Sequence, residues 1–593
     1  MGFVKQLERM ATKLRIDSLK STTAAGSGHP TSCLSCADIM SVLFFSELQE
    51  DDEFIMSKGH AAPILWAAFA EAGLISVDEL ANLRKFDSLL EGHPTARMPL
   101  IKVASGSLGQ GLSAGVGMAL AKKLDNNNGR VYVLLGDGEI AEGSVWEAAS
   151  SAAHYKLDNL CAIVDVNRLG QSQQTMHGRD VRKYKKKFKA FGLKAFVING
   201  HRVRQLLWAL DKAKKSKRPC VIIAKTVKGK GVSFLEDREG WHGKALNEEE
   251  LKKALHELVI KKEPQLSSNF KPKKYSYEFQ DFETTKYNLT DMISTREAFG
   301  KALESLGKEN KKVVALDGDV KNSTMTEYFF KAYPERGFEC FIAEQNMAGI
   351  ALGFSALGFT PFVATFGAFL TRAHDFIRMA QYSDANIKFV GSHSGVSIGE
   401  DGPSQMGLED MSMFLSMPEA RVLYPCDATS TEKLVSEMAE HKGITYLRTT
   451  REKTPVIYEH TEEFEIGKLK VLRKSKKDKA LIIAAGVCVH EALKAYGLLQ
   501  KKNINVRVID LYSVKPFDED ELVEQAEECK NKVLVVEDHY FGGIGSVVSS
   551  TVGKIEHLFI KEVPRSGKPE ELRQNYKIDA DAIVDKILKM KGK

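Results

Sequence analysis

Between residues 130 and 226 the chain alternates short apolar runs with stretches whose apolar positions recur at helical spacing. RVYVLLG (130–136), LCAIVDV (160–166) and PCVIIAKT (219–226) predict buried strands. SVWEAASSAAHYKL (144–157) predicts a helix with Trp146, Ala149, Ala153 and Leu157 on one face. At the start, Phe3, Leu7, Met10 and Leu14 recur at helical spacing and predict a first helix. Strands alternating with helices imply parallel sheets covered on both faces. Polar, aperiodic sequence from 258 to 290 predicts a linker. Beyond it, KVVALD (312–317), TPFVAT (360–365), IKFVG (387–391) and ITYLRT (444–449) predict a second set of strands. ALIIAAG (480–486), INVRVIDL (504–511) and KVLVVED (532–538) predict a third. The expected architecture is α/β, with three domains at 1–257, 291–466 and 467–593.

Composition changes this picture little. At 43% apolar and 27% charged residues the chain matches soluble globular proteins. No apolar run approaches a membrane span, and MGFVKQLERMATKL has no signal-peptide core, so a cytoplasmic enzyme without membrane contact is expected. Eight scattered cysteines form no disulfide framework, and CLSC (33–36) has no second pair at zinc spacing, so buried thiols are expected. The net charge of +6 is small for 593 residues. The basic run RKYKKKFK (182–189) reads as a solvated surface segment, with no accompanying nucleic-acid motif.

The informative chemistry sits at strand ends, where open parallel sheets bind ligands. LLGDGEIAEG (134–143) leaves a strand through Asp137 held between two glycines, and Asn167 follows the strand 160–166. A carboxylate, an amide oxygen and a nearby carbonyl make a hard oxygen set for a divalent cation, with phosphate oxygens completing it. On spacing alone, a plain Gly-Asp-Gly turn leading into the helix at 144 is an equal alternative. Three Gly-His pairs, at His29, His60 and His93, lie in polar loops. GSLGQGLSAGVG lacks a dinucleotide fingerprint in register, KGKG (228–231) lacks P-loop spacing, and LDGD (316–319) has no partner asparagine loop and reads as a structural turn.

LLGDGEIAEGSVWEA followed by LDNLCAIVDVNRLGQS resembles the thiamine-diphosphate motif, in the wording of transketolases. The resemblance runs the length of the chain through AAGSGHPTS (24–32), SKGHAAPILWA (57–67), GSLGQGLSAGVGMA (106–119), WHGK (241–244), LDGDVKNST (316–324), AEQNMAGIALG (343–353), GVSIGEDGPSQMGLEDM (395–411) and YLRTTR (446–451). It is nearest the animal type, since Gln405 stands where many other members carry histidine. The fold so implied is the thiamine-diphosphate-binding fold, with a diphosphate-binding (PP) domain and a pyrimidine-binding (Pyr) domain, plus a C-terminal α/β domain.

The resemblance implies transfer of a two-carbon ketol unit from a ketose phosphate to an aldose phosphate through the ylid of thiamine diphosphate. Asp137, Asn167 and the Leu169 carbonyl would hold Mg²⁺, or Ca²⁺ or Mn²⁺. Ser32, His60, Gly106, Leu108, Gly138, Lys228 and His242 would surround the cofactor, with Leu108 supporting its bent shape. Glu344 would meet the pyrimidine, shielded from water, over an aromatic platform of Phe366 and Phe369. His29, His60, His93 and His242 would bind donor hydroxyls and move protons, and Asp401 and Gln405 would read substrate hydroxyls. Arg296, Ser323, His393 and Arg451 would take the substrate's phosphate, where paired guanidinium forks suit a dianion. Glu142 matches a carboxylate linking the two sites of a homodimer, each site built from one subunit's first domain and the other's second.

Two departures stand out. The segment FFSELQEDDEFIMSKGH (44–60) is shorter than usual, and His374 replaces a common phenylalanine behind the pyrimidine pocket. The alternatives are 1-deoxyxylulose-5-phosphate synthase, which shares cofactor and domains but decarboxylates pyruvate, and a non-catalytic homologue.

Overall fold

The computed structural model describes residues 2–591, which form two compact units. The first takes in the chain to Ser276 together with Ala348–Leu357 and Tyr382–Asp384. The second comprises Tyr277–Met347, Gly358–Gln381 and the chain from Ala385 onward.

In the first unit, β1 (Glu53–Met56), β2 (Val131–Gly136), β3 (Leu160–Val166), β4 (Lys194–Asn199) and β5 (Cys220–Lys225) make one sheet. Its order is β1-β2-β3-β5-β4 and every pairing is parallel. All residues of β2 and β3 are buried, as continuous apolar runs on a doubly covered sheet require. The first helix, Gly2–Ala24, buries Leu7, Met10 and Leu14 in the core beside Leu34, Phe44 and Leu134, but leaves Phe3 half exposed.

The helix expected at 144–157 spans Gly143–His154, and its buried face is Val145, Ala148, Ala149 and Ala152. Trp146 lies on the flank, packed on Phe188 and Phe191 with the Lys187 ammonium 4.7 Å from its ring centre. Of the face expected to carry Trp146, Ala149, Ala153 and Leu157, Ala149 belongs to the buried side of this helix. The basic run forms the helix Val181–Ala190, which buries only Tyr184 and Phe188 and leaves most of its lysines in solvent.

In the second unit two short strands, β6 (Met292–Ser294) and β13 (Lys453–Pro455), pair antiparallel. The main sheet uses β7 (Val313–Asp317), β8 (Gly337–Glu339), β9 (Thr360–Phe366), β10 (Lys388–Ser392), β11 (Arg421–Leu423), β12 (Thr445–Arg448) and β17 (Ser513–Lys515). Its order is β17-β11-β12-β10-β9-β7-β8, parallel except for the edge strand β17. A further sheet, β14 (Lys470–Arg473), β15 (Leu481–Ala484), β16 (Arg507–Asp510), β18 (Val533–Val536) and β19 (Glu556–Leu558), runs β14-β16-β15-β18-β19 with only β14 antiparallel. The fold is thus α/β with mostly parallel sheets. Between the helix ending at Glu257 and β6 the chain has no helix or strand. The Asp317 carboxylate in LDGD accepts from Thr324 Oγ1 (2.6 Å), Thr326 Oγ1 (2.8 Å) and the Val320 N–H (2.7 Å), the work of a structural turn.

All eight cysteines are free and buried. Among the described residues no helix is long and apolar enough to cross a membrane.

Candidate active site

β2 and β3 are adjacent and in register from Val131 opposite Leu160 to Gly136 opposite Asp165. The loops that leave them therefore emerge side by side, and Asp137 and Asn167 meet. The Asp137 carboxylate accepts the Arg168 N–H at 2.6 Å and Thr175 Oγ1 at 3.2 Å, both through Oδ2. Burial, with Asp165 nearby, pushes Asp137 up to about 6. Asn167 donates its amide to Asp165 at 3.3 Å, which turns its own oxygen the other way. The Leu169 carbonyl accepts from Lys228 Nζ at 2.9 Å and keeps a second lone pair.

These loops floor a cleft of about 490 Å³ that is walled by His29, His60, His93, His242, Gly106, Leu108, Gly138 and Lys228. His29 stands at the centre, its ring centroid 5.3 Å from His60, 6.2 Å from His93 and 5.0 Å from His242. Local sequence explains its position. Gly28 adopts φ +138, where a side chain would be strained and would also strike Thr22, and Pro30 opens the helix Pro30–Val42. His29 is held at that corner as the residue preceding the first helical turn.

All four imidazoles are held neutral. Burial, reinforced by His93 and Arg84, pulls His29 down to about 4; burial and Lys228 pull His242 down to about 3. Burial lowers His60 and His93 as well, helped by Lys58 and Arg84 respectively. Lys228, buried near Lys58, falls to about 8 and lies 2.6 Å from His242 Nδ1. The cleft thus sets two lysines, Lys58 and Lys228, and four neutral imidazoles beside the carboxylates of Asp137 and Glu139, a mix that suits an anion bridged to a carboxylate by a cation.

Three residues that motif spacing did not single out build the floor. Lys58, 1% exposed, pairs with Asp165 at 2.5 Å and donates to the Ser32 carbonyl at 3.1 Å. Asp165 also accepts from Ser35 (2.6 Å) and Thr226. Buried Glu139 ties Ser57 to the N–H groups of Gly136 (2.9 Å) and Gly109 (2.9 Å). A charged residue inside an apolar strand run, as in VDV, was the available signal for Asp165. Ser32 and Glu142 lie off the cleft wall: Ser32 is fully buried behind it and Glu142 is exposed at the start of the helix Gly143–His154.

In the second unit, β9, β10 and β12 are neighbours, with Phe366 opposite Ser392 and Gly391 opposite Arg448. Their ends carry the other predicted groups. Phe366 stacks on Phe369 (5.0 Å between centroids, 7° between planes) and on His393 (3.9 Å, 11°). Arg296 donates to the Ser323 carbonyl at 2.9 Å and lies 3.4 Å from His393 Nε2. Burial and the two guanidinium charges of Arg296 and Arg451 pull His393 down to about 3. Arg451 pairs with Asp401 at 2.9 Å, so that carboxylate is engaged with the arginine; Gln405 follows on the same loop and is half-buried. Glu344 opens the helix Glu344–Ala356, is 4% exposed, and lies 3.5 Å from Arg372. His374 begins the helix His374–Tyr382 and is exposed. In the shortened segment, Leu43–Glu47 is a widened helical turn that leads to β1, and His60 still reaches the cleft.

The residues fit a diphosphate and its cation. The buried Nδ1 of His29 and Oγ of Ser32 lack a hydrogen-bond partner among the described residues, as does Oε2 of Glu344. Among the described residues no cluster of three or more His, Cys, Asp or Glu is arranged to hold a metal, so one carboxylate and neutral oxygens are the donor set. Such a set needs phosphate oxygens to complete a hard-cation shell.

Charged loops at the ends of parallel strands, serving an anionic group large enough for a 490 Å³ cleft, define a cofactor-dependent α/β enzyme. Family models agree along the chain: "Transketolase, thiamine diphosphate binding domain" matches residues 6–293, "Transketolase, pyrimidine binding domain" 291–456 and "Transketolase, C-terminal domain" 467–583. The chain belongs to the transketolase family and is an enzyme that transfers ketol groups. It is 48% identical to transketolase of Homo sapiens, over 98% of this chain and 97% of that one. It is also 48% identical to transketolase-like protein 2 of Mus musculus, over 98% and 96% respectively. The crystal structure of transketolase from Campylobacter jejuni superposes with a TM-score of 0.87 at 25% identity, covering 99% of this chain and all of that one.

Proposed function

We propose that this enzyme moves a two-carbon ketol unit from a ketose phosphate such as xylulose 5-phosphate to an aldose phosphate such as ribose 5-phosphate or erythrose 4-phosphate. This is the reaction of the non-oxidative pentose phosphate pathway, here placed in the cytoplasm. The observation that carries the proposal is the ring of four neutral imidazoles above the Asp137–Asn167 floor.

Asp137, Asn167 and the Leu169 carbonyl would hold Mg²⁺, or Ca²⁺ or Mn²⁺. Lys228, His242, Gly106 and Gly138 would receive the diphosphate of thiamine diphosphate, and Leu108 would press on its middle. When bound, the cofactor supplies a nucleophilic carbon and an electron sink for carbon–carbon cleavage. Glu344 would meet the pyrimidine end, where burial keeps water from competing for its carboxyl. Neutral His29, His60, His93 and His242 can accept a hydrogen bond from a sugar hydroxyl through one nitrogen and donate through the other. A bound diphosphate would offset the lysine and arginine charges that add to burial in holding these rings low, raising their proton affinity where a hydroxyl must be deprotonated. Arg296, Ser323, His393 and Arg451 would bind the sugar's phosphate, with Asp401 and Gln405 reading its hydroxyls.

The reading includes a homodimer in which Glu344 and the phosphate-binding residues of one subunit complete the cleft of the other, with Glu142 linking the two sites. It also divides the chain at 1–257, 291–466 and 467–593. The test is conversion of xylulose 5-phosphate and ribose 5-phosphate to sedoheptulose 7-phosphate and glyceraldehyde 3-phosphate, with and without thiamine diphosphate and Mg²⁺. Cofactor-dependent product is expected; its absence from a folded, cofactor-loaded protein would overturn the reading.

A further inference from the structure

The part of the chain beyond residue 467 lines no cleft described above, yet its contacts within the second unit converge on one place. Arg448, fully buried, lies between two carboxylates. It donates to Asp410 Oδ2 at 2.9 Å and to Asp538 Oδ1 at 2.9 Å, and it reaches the carbonyls of Gly407 (2.8 Å) and Asp538 (3.2 Å). Tyr424 donates to the same Asp538 oxygen at 2.9 Å, and Ser394 donates to Asp410 at 3.2 Å. Asp538, from the end of β18, therefore braces the segment that runs from His393 to Gly407. Gly395 in that segment, at φ +76, passes so close that a Cβ there would fall 1.8 Å from Asp538 Oδ2.

A second grip lies four residues past Arg448, on Glu452. Arg573, 4% exposed, forks onto Glu452 through two bonds of 2.5 and 3.0 Å. Its Nε lies 3.5 Å from Glu491, whose other oxygen accepts the Ala580 N–H at 3.0 Å. Glu452 is the neighbour of Arg451. A third contact is a strand pairing: β17, from the same part of the chain, pairs antiparallel with β11 and so extends the sheet that carries these loops. Two attachments thus end on the loops bearing His393, Asp401 and Arg451, and the third on the sheet that carries them.

We propose that the C-terminal domain sets the geometry of the sugar-phosphate end of the site, with Glu452–Arg573 and Asp538–Arg448 as positioning pairs. None of these four side chains needs to touch substrate. Paired forks fix a guanidinium's neighbour in plane, and an arginine bound to a phosphate dianion through two donors is sensitive to displacements well under 1 Å. Releasing Glu452 frees the backbone at Arg451, which weakens the phosphate contact and leaves carbon–carbon chemistry alone. The inference rests on the assignment of Arg296, His393 and Arg451 to phosphate binding.

The test compares wild type, Glu452→Gln and Arg573→Lys, each loaded with thiamine diphosphate and Mg²⁺. Two substrate pairs are used: xylulose 5-phosphate with ribose 5-phosphate, and phosphate-free xylulose with ribose. Both variants should raise KM for the phosphorylated pair about tenfold. They should leave kcat for that pair, and kcat/KM for the phosphate-free pair, within about twofold of wild type. Inhibition of the phosphate-free reaction by inorganic phosphate should weaken in parallel, which a general loss of stability would not produce. Asp538→Asn provides a check on the second pair and should give the same split. Unchanged KM values in folded variants, or equal losses on both substrate pairs, would overturn the proposal. A wild type that turns over neither pair would instead refute the functional reading on which it stands.

Discussion

The floor of the first cleft offers a sharp test because one ion pair there is almost completely dry. Lys58 is 1% exposed and Asp165 fully buried, 2.5 Å apart. Burial alone would push the Asp165 carboxyl up, but Lys58 and the hydroxyls of Ser35 and Thr226 hold it below the ordinary carboxylate range. Asp165→Asn keeps the side chain's size but an acceptor oxygen for only one of the two hydroxyls, Ser35 on Oδ2 or Thr226 on Oδ1, while stranding the Lys58 ammonium without a counter-charge. Breaking a buried pair in this way costs about 3–5 kcal/mol. For a unit of this size that corresponds to a fall in Tm of roughly 6–20 °C for the first unit's transition.

The assay is thermal unfolding followed by tryptophan fluorescence. The decisive comparison is the double variant Lys58→Met/Asp165→Asn. Replacing both charges removes the stranded ammonium, so most of the lost stability should return. The pH dependence supplies a second check. A carboxyl held below its unfolded value contributes stability above about pH 4, and the contribution is lost as pH falls through the folded value. The gap between wild type and Asp165→Asn should therefore narrow as the solution is acidified below pH 4. A double variant as unstable as the single one, or a Tm change under about 2 °C, would refute the reasoning that electrostatics hold this floor together.

The neutral histidines make a related prediction with the opposite origin. His29 near 4, and His242 and His393 near 3, stay unprotonated when folded while their unfolded counterparts titrate near 6.5. Between those values the unfolded chain binds more protons, so stability should rise with pH by up to about 1.4 kcal/mol per unit for each ring. Urea midpoints between pH 4.5 and 7 measure this, and a flat profile would contradict the assignments. Arg296→Leu removes the larger of the two guanidinium charges that press on His393, so that ring's pKa should rise, read by NMR titration, while KM for xylulose 5-phosphate climbs at least tenfold. Subunit complementation tests the dimer: Asp137→Ala and Glu344→Ala should each be inactive. Co-expression in equal amounts should restore about a quarter of wild-type activity, because half of the dimers would carry one intact site; no recovery in a confirmed heterodimer would exclude shared sites.

Which parts of the site were legible in the sequence follows from how each residue acts. Strand runs such as LCAIVDV announced β3 to the residue because an interior parallel strand has no solvent face, so its run is apolar except where a charge is paired inside, as Asp165 is with Lys58. Asp137 and Asn167 were legible because each directly follows such a run, where loops gather over a parallel sheet. The helix after β2 was legible in existence but not in orientation. Spacing put Trp146 with Ala149 on one face, whereas the buried face is Val145, Ala148, Ala149 and Ala152 and packs against the helix Gly111–Leu124, and the tryptophan instead packs on Phe188 and Phe191. Lys58 carried no signal of its own: a lysine is ordinarily solvent-seeking, and only the partner 107 positions away makes its burial possible.

The same reasoning explains why the Arg448 cluster is invisible along the chain. Its parts come from Asp410, Tyr424, Arg448 and Asp538, which no periodicity links. Each would read alone as a surface charge or a core tyrosine. Assembled, they place a guanidinium with no solvent access between two carboxylates, an arrangement whose desolvation penalty makes it a poor source of net stability. A hydrophobic trio of similar volume would hold the two domains together at least as well. What the charged arrangement adds is direction, because each hydrogen bond fixes a backbone segment at a stated angle, down to the Gly407 carbonyl at the far end of the His393 loop. That directional demand is the physical reason to connect the cluster with substrate geometry, and it predicts that Asp410→Asn/Arg448→Met/Asp538→Asn, which leaves no buried charge unpaired, would fold while the phosphorylated-substrate KM rises. A KM equal to wild type in that folded variant would return the cluster to a purely structural role.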